Sequence, residues 1–153
     1  MSFKMDRVHV WAAEVADEPG GVSAKLSKLD EAGADLEYVY TQRRPDKPGH
    51  GFLYVAPLTG NGQLRTAREI GMHEASAPIV MRLEGDNTAG LANRLKHAWA
   101  TAGINLHGAM MTVIGTKFVG FVTFDSVEDA NKAARILAEV GHEKPVPAAA
   151  ARR

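Results

Sequence analysis

The chain of 153 residues contains no cysteine, which removes disulfide frameworks, thiolate metal sites and cysteine nucleophiles from consideration. It has no excess of one charge: Lys plus Arg and Asp plus Glu number 18 each. Such a surface exerts no long-range pull on phosphate backbones or anionic lipids, so neither nucleic acid nor membrane is expected as a partner. No apolar run approaches the ~18 residues of a membrane span, and the opening Met-Ser-Phe-Lys-Met-Asp lacks the apolar stretch of a signal peptide. These absences point to the cytoplasm. What remains is an ordinary globular composition, 45% hydrophobic and 24% charged.

The informative feature is repetition. An ungapped shift of 70 residues superposes Val10 on Val80, Glu14 on Glu84, Gly20 on Gly90, Ala32 on Ala102, Gly33 on Gly103 and Leu36 on Leu106. Later it aligns Asn61 with Asn131, Arg65 with Arg135, Glu69 with Glu139 and Gly71 with Gly141. Most of these identities fall at turns and helix ends, where the backbone makes specific demands.

Each half reads as the same succession of elements. Arg7–Val15 has strand character and is followed by the turn Asp17-Glu18-Pro19-Gly20-Gly21. Val22, Leu26 and Leu29 recur at helical spacing up to Gly33, which suits a C-cap. Strands over Leu36–Thr41 and Phe52–Ala56 flank a polar loop, and a helix follows over Gly62–Ile70. In the second half come a strand at Ile79–Leu83, a turn at Asp86–Gly90, and a helix with Leu91, Leu95, Ala98 and Ala102 on one face. Strands at Ile104–Ile114 and Phe118–Phe124 precede a helix with Val127, Ala130, Ala134 and Leu137 on one face. Short fourth strands are expected near Met72–Glu74 and His142–Lys144. The first helices are out of phase: Val22 and Leu26 fall on Ala92 and Lys96, whereas the apolar residues are Leu91 and Leu95. Either the second turn is effectively shorter or the helices are rotated.

The expected fold is α+β: two ferredoxin-like βαββαβ units in tandem, with antiparallel sheets carrying helices on one face. Residues 6–75 form the first, 76–141 the second, and 142–153 a loose tail. A unit of this size buries a marginal core. Met110–Ile114 and Phe118–Val122 are apolar on both faces, which calls for cover by the other half or another subunit, hence a homodimer or larger homo-oligomer.

Asp17-Glu18-Pro19-Gly20-Gly21-Val22 and Glu31-Ala32-Gly33-Ala34-Asp35-Leu36 together resemble the ACT domain signature, which has Asp-x-Pro-Gly at its first turn and Ala-Gly-Ile-Asn-Ile entering its second strand. Ala102-Gly103-Ile104-Asn105-Leu106 matches the latter closely; Asn87-Thr88-Ala89-Gly90-Leu91 keeps the glycine but has lost the aspartate and proline. The resemblance spans about residues 6–141 and implies a stand-alone tandem regulatory protein, similar in layout to glycine cleavage repressor-type proteins. It further implies an amino-acid effector, bound where two such domains meet, and a regulated enzyme as partner.

The residues themselves suit that chemistry. Backbone N–H groups at Gly20-Gly21-Val22 and Gly90-Leu91 favour a carboxylate, while Asp17 or Asn87, with Asp35 or Asn105, can accept from an ammonium. The candidate ligand-binding set is Asp17, Glu18, Pro19, Gly20, Gly21, Val22, Asp35, Asn87, Thr88, Ala89, Gly90, Leu91 and Asn105. The same turns also serve as plain helix N-caps.

Two other readings compete. Lys117–Phe124 resembles the third-strand motif of an RNA-recognition module, but Val119 stands at a stacking position and Ile79–Leu83 offers no aromatic platform. A regulatory or assembly subunit acting through protein contacts alone fits the apolar strands equally well. No catalytic constellation, metal site or cofactor is indicated: the six histidines include no His-x-x-x-His pair. Trp11 and Trp99 read as core anchors, and His50 as a loop histidine.

Overall fold

A computed structural model describes residues 3–141. After an initial strand β1 (Lys4–Val8), six elements make up the first unit: β2 (Trp11–Ala16), α1 (Gly21–Glu31), β3 (Tyr38–Arg43), β4 (His50–Ala56), α2 (Gly60–Glu69) and the two-residue β5 (His73–Glu74). The second comprises β6 (Ile79–Asp86), α3 (Leu91–Thr101), β7 (Leu106–Ile114), β8 (Lys117–Phe124) and α4 (Val127–Val140). The sheets run in the orders β3-β4-β2-β5 and β1-β6-β8-β7. The α+β class and the tandem ferredoxin-like architecture are thus those the repeat implied. Every central pairing with resolved register is antiparallel.

The stretch expected to form one strand, Arg7–Val15, is two strands that serve different sheets. β1 lies beside β6, the place that β5 takes beside β2 in the other sheet. The chain before Val8 therefore groups with the chain from Ala77 onward, and Val8–Ser76 forms the other compact unit. The fourth strand of the second sheet comes from the N-terminus; the strand expected near His142–Lys144 and the tail to Arg153 lie outside the described residues.

Phe3 fixes the N-terminal segment in place. Its ring meets Phe118 edge-on with centroids 5.7 Å apart. It occupies a slot between two glycines: a Cβ on Gly141 would approach Phe3 Cδ2 to 2.8 Å, and one on Gly85 would collide with the same ring. Met5 packs on the same core.

Alternation along the strands puts one face of each sheet against helices. In the first unit Trp11, Ala13, Val15, Leu53 and Val55 face Leu29 of α1 and Ala67 of α2. In the second, Met81, Leu83, Phe118, Val122 and Phe124 face Leu91, Leu95 and Trp99 of α3 and Ala130, Ala133 and Leu137 of α4. Both tryptophans are core anchors, Trp11 at 7% and Trp99 at 2% exposure. Trp99 Nε1 donates to the Ala133 carbonyl at 3.1 Å, which ties α3 to α4 and satisfies the one polar atom of a buried indole. The face of α4 differs slightly from expectation: Ala133 and Val140 are buried while Val127 is 45% exposed, because Val127 opens the helix beyond its Ser126 cap.

The phase mismatch of the first helices is not a shorter second turn, and Leu29 and Trp99 are buried at the same offset. α1 and α3 are both 11 residues long and start at the same 70-residue offset, Gly21 and Leu91. α3 buries Leu91, Leu95 and Trp99, whereas α1 buries Leu29 and half-buries Val22 and Leu26. The small Gly21 and the Lys25 stem, whose Nζ donates to the Ile70 carbonyl, stand where α3 has leucines.

Each unit carries its own tryptophan, which makes the N-terminal exchange testable. Deleting residues 1–7 should lower the unfolding midpoint reported by Trp99 fluorescence in a Trp11→Phe background more than that reported by Trp11 in a Trp99→Phe background. Equal losses in both reporters would show that the strand does not belong to the second unit.

Candidate functional site

The two candidate turns share a backbone hydrogen-bond pattern at the same offset. Gly21 N donates to Glu18 O and Leu91 N to Thr88 O, both at 3.1 Å; Ala24 N donates to Gly20 O and Arg94 N to Gly90 O, both at 3.0 Å. Asp17 N and Asn87 N reach the neighbouring hairpins at Gly49 O and Thr116 O, each at 2.9 Å. Gly20 and Gly90 occupy the N-cap positions with φ of 86° and 78°, a left-handed conformation in which a Cβ is strained. Neither helix has a side-chain cap or an acidic residue in its first turn. Their leading amides therefore present a positive end with no built-in anion.

The first turn is open around Gly20 and tight at Gly21. A Cβ on Gly20 would meet nothing within 4 Å, whereas one on Gly21 would overlap the Ala16 carbonyl oxygen. Asp17, Glu18 and Pro19 are exposed and Val22 is half-buried. Asp17 is held by Arg43 of β3, with Nε 2.9 Å from Oδ2. Next to it, Glu14 of β2 collects Lys47 Nζ at 2.7 Å and Arg44 Nη1 at 3.2 Å from the β3–β4 loop, and His50 Nδ1 at 2.5 Å from the first residue of β4. The hydrogen bond from Lys47, with the Coulombic field of these cations, holds the Glu14 carboxyl below its ordinary range against a smaller opposing effect of desolvation. His50 thus contacts Glu14, where sequence suggested a solvated loop histidine.

The second turn is closed by a residue that sequence reasoning did not single out. Arg94 folds back from α3, donating from Nη1 to Ala89 O at 2.8 Å and from Nη2 to Thr88 Oγ1 at 2.7 Å. The corresponding residue of α1 is Ala24. The guanidinium supplies cross-bracing where the turn has lost its aspartate and proline. Asn87 and Ala89 are exposed, Leu91 is buried in the core, and Asp86 just before them pairs with Lys117. That hydrogen bond lowers the Asp86 pKa.

Asp35 and Asn105 do not join the turns within a unit. Each follows the C-terminal end of α1 or α3, and an 11-residue helix separates them by about 16 Å from the glycine corners. Both are exposed. Gly33 and Gly103, with φ of 83° and 77°, are C-terminal glycines whose N–H groups donate to Asp30 O and Ala100 O.

The helix-free face of the first sheet gathers the three tyrosines. Tyr40 lies opposite Tyr54 with centroids 6.0 Å apart, Phe52 is 5.9 Å from Tyr54, and the Arg44 guanidinium stacks on Phe52 at 4.9 Å. Tyr38 continues this face, and burial raises its pKa. The period-2 alternation of Tyr38 and Tyr40 was visible in sequence, but the partner strand that builds an aromatic row was not. Among the described residues no group of three or more His, Asp and Glu side chains could hold a metal ion, and no helix is long and apolar enough to cross a membrane.

Two expectations follow from this geometry. Gly20→Ala should destabilise by about 1–2 kcal/mol, entirely through left-handed backbone strain, since its methyl enters open space. Urea denaturation would read it; an unchanged midpoint would contradict the left-handed corner. Because the Glu14 pKa is depressed in the folded state, its contribution is present above the ordinary value of 4.5 and lost as pH falls through the folded value. Thermal midpoints of wild type and Glu14→Gln should therefore converge as pH drops from about 6 to about 3.

The chain matches no family model and no curated protein sequence. It does resemble solved structures over nearly its whole length. A Bacteroides thetaiotaomicron protein, BT0572, superposes with a TM-score of 0.70 at 7% identity, covering 86% of this chain and 88% of that one. The regulatory subunit of aspartate kinase from Thermus thermophilus, in its ligand-free form, superposes with a TM-score of 0.60 at 14% identity, covering 90% and 95%. The corresponding subunit from Thermus flavus gives 0.58 at 17% identity, covering 93% and 98%. At these identities the likeness is one of fold alone.

Proposed function

We propose that this chain is a non-enzymatic regulatory protein that binds a small effector, an amino acid, at the corner Asp17–Val22, and alters the activity of a partner enzyme. The observation that carries the reading is the pair of uncapped helix N-termini at equivalent glycine corners. An α-carboxylate placed there meets the first-turn amides beyond Gly21 and Leu91, whose own N–H groups already donate to Glu18 O and Thr88 O, and Asp17, with carboxylate lone pairs beyond those engaged by Arg43, is positioned to accept from the α-ammonium. The corner Asn87–Leu91 is the weaker site, because Arg94 already bonds across it. The regulatory-subunit fold supports the role without fixing the effector.

One corner does not suffice energetically. A helix terminus contributes about 0.3–1 kcal/mol to anion binding, while micromolar affinity needs about 8 kcal/mol. The remaining contacts belong to a second copy facing the corner, and Asp35 and Asn105, at the opposite helix ends, take part only through such an approach. Effector binding would then shift affinity for the enzyme by about 1–3 kcal/mol through the stiffened junction.

A thermal-shift series over the twenty amino acids tests the proposal. A true effector at about 100 times its Kd should stabilise by about 2.7 kcal/mol. Val22→Pro removes one amide hydrogen at a helix position that tolerates proline, preceded by a permissive glycine. It should weaken the effector about tenfold or more while leaving the circular dichroism spectrum intact. No response to any amino acid would instead favour the reading in which the chain acts through protein contacts alone, which the engagement of Asp17 by Arg43 and of Arg94 within its own turn supports.

A further inference from the structure

The strand motif of an RNA-recognition module, noted at Lys117–Phe124, has a fuller counterpart in the first unit. Trp11 pairs with Val55 and Met81 with Val122, so Val55 of β4 and Val122 of β8 are equivalent across the repeat. Counting back from them, Phe52 and Tyr54 occupy the positions of Val119 and Phe121. In that motif a basic residue and a glycine precede two aromatics at alternate positions, which point the same way and stack on bases. β4 reads His50-Gly51-Phe52-Leu53-Tyr54-Val55 and holds both stacking positions, whereas β8 has only one. Gly51 has a structural reason of its own, since a Cβ there would sit 2.9 Å from the Gln42 carbonyl oxygen. β4 departs from the motif at Leu53, where a small residue is usual, and at Pro57. Leu53 is buried on the helix side, so that departure leaves the open face untouched.

Strand alternation sends Phe52 and Tyr54 to the helix-free face, where both are half-buried. Tyr40, opposite Tyr54 on β3, extends the row at 42% exposure. The ring centroids step 5.9 Å from Phe52 to Tyr54 and 6.0 Å on to Tyr40. β2 adds no ring, since Ala12 stands opposite Tyr54. A row of rings across two strands is a platform rather than a cavity. A free nucleotide needs a concave pocket that buries most of its surface, whereas an unpaired strand lays successive bases on such a platform.

One end of the row is basic. Arg43, Arg44, Lys47 and His50 fall within eight residues that hold a single acid, Asp46, in a chain of zero net charge. Arg44 is fixed over Phe52 at 4.9 Å, its donors taken by Asp46 and Glu14, and its plane adds a further stacking surface. The Arg43 side chain is 83% exposed, and Lys47 is also exposed. Ion pairs at such exposure are weakly held, so phosphates can compete for both cations.

We propose that the helix-free face of the first sheet binds single-stranded nucleic acid, with about two or three bases on Phe52, Tyr54 and Tyr40 and the phosphates along residues 43–50. Zero net charge removes long-range steering toward a polyanion, but it does not touch stacking, which supplies the affinity and tolerates any base. The missing aromatic platform that argued against RNA belongs to the second unit. This inference goes beyond the effector reading and requires no amino acid, so either can fail alone.

Fluorescence anisotropy of a labelled oligouridylate of about ten nucleotides, titrated with the full chain and no amino acid, tests it. Single-stranded RNA and DNA of that length should both bind, and a duplex should not. Tyr54→Ala and Phe52→Ala should each weaken binding about 5- to 150-fold. Tyr54→Phe should leave it unchanged, as should Met110→Ala on the other sheet. Raising salt from about 50 to about 200 mM should cost about sevenfold, the slope for about two phosphates, and Lys47→Ala should flatten that slope for every sequence alike. Should the alanine variants unfold, ultraviolet cross-linking of wild type to the same oligonucleotide takes their place, with adducts expected on β4. No binding to any single strand, equal binding of duplex, uridine monophosphate as tight a ligand as the oligonucleotide, affinity indifferent to Tyr54→Ala, or adducts confined to the second unit would overturn the proposal.

Discussion

Everything in this molecule turns on a left-handed corner. At Gly20 and again at Gly90 the chain leaves a central strand, rotates through a positive φ, and starts an 11-residue helix whose first amides lack a side-chain acceptor. The corner decides the angle at which the helix leaves and hence which helix face meets the sheet. It also leaves a polar terminus exposed at the surface. Structural necessity and binding capacity thus come from one feature of the backbone. That is why the two halves keep it although their side chains have diverged almost everywhere else.

Divergence around the constant corner follows a physical logic. The first turn retains Asp17 and Pro19, and its carboxylate is steadied from outside by Arg43 on the neighbouring strand. The second lacks both, and its stiffness comes from inside, through the two bonds that Arg94 sends back to Ala89 and Thr88. β7 has Val113 where β3 has Arg43, so the second corner has no external guanidinium to call upon. Two solutions to the same mechanical demand therefore leave different chemistry at the surface: one corner offers a carboxylate, the other a guanidinium already in use.

How much of this was legible beforehand depended on the range of the interaction. The glycine corners, the helix C-termini at Gly33 and Gly103, and the strand alternation of Tyr38–Tyr40 are local, and local demands leave marks at fixed spacing. The 70-residue offset carried the architecture because a duplicated backbone must repeat its turns. The difference between α1 and α3 was visible only as a phase error, since Gly21 and Lys25 stand in place of leucines without moving the helix ends. Arg94 and Arg43 were illegible as site residues: long side chains bond across turns and strands without any periodic signature. The placement of β1 was equally hidden, because Arg7–Val15 reads as one β-prone stretch and nothing local says that it is divided between two sheets.

The exchange of β1 also explains why the edges of the second sheet are so unequal. With the N-terminal segment beside β6, and Phe3 locked between Gly85 and Gly141, one flank is closed by a strand rich in charge. The opposite flank carries the apolar residues Met110, Met111, Val113 and Ile114 in the open. Had β1 been absent, β6 would itself be an edge, and its nearly uninterrupted apolar run Ile79–Leu83, broken only by Arg82, would compete with β7 for any incoming strand. Covering β6 from within the chain removes that alternative, and among the described residues leaves β7 as the edge richest in exposed apolar side chains.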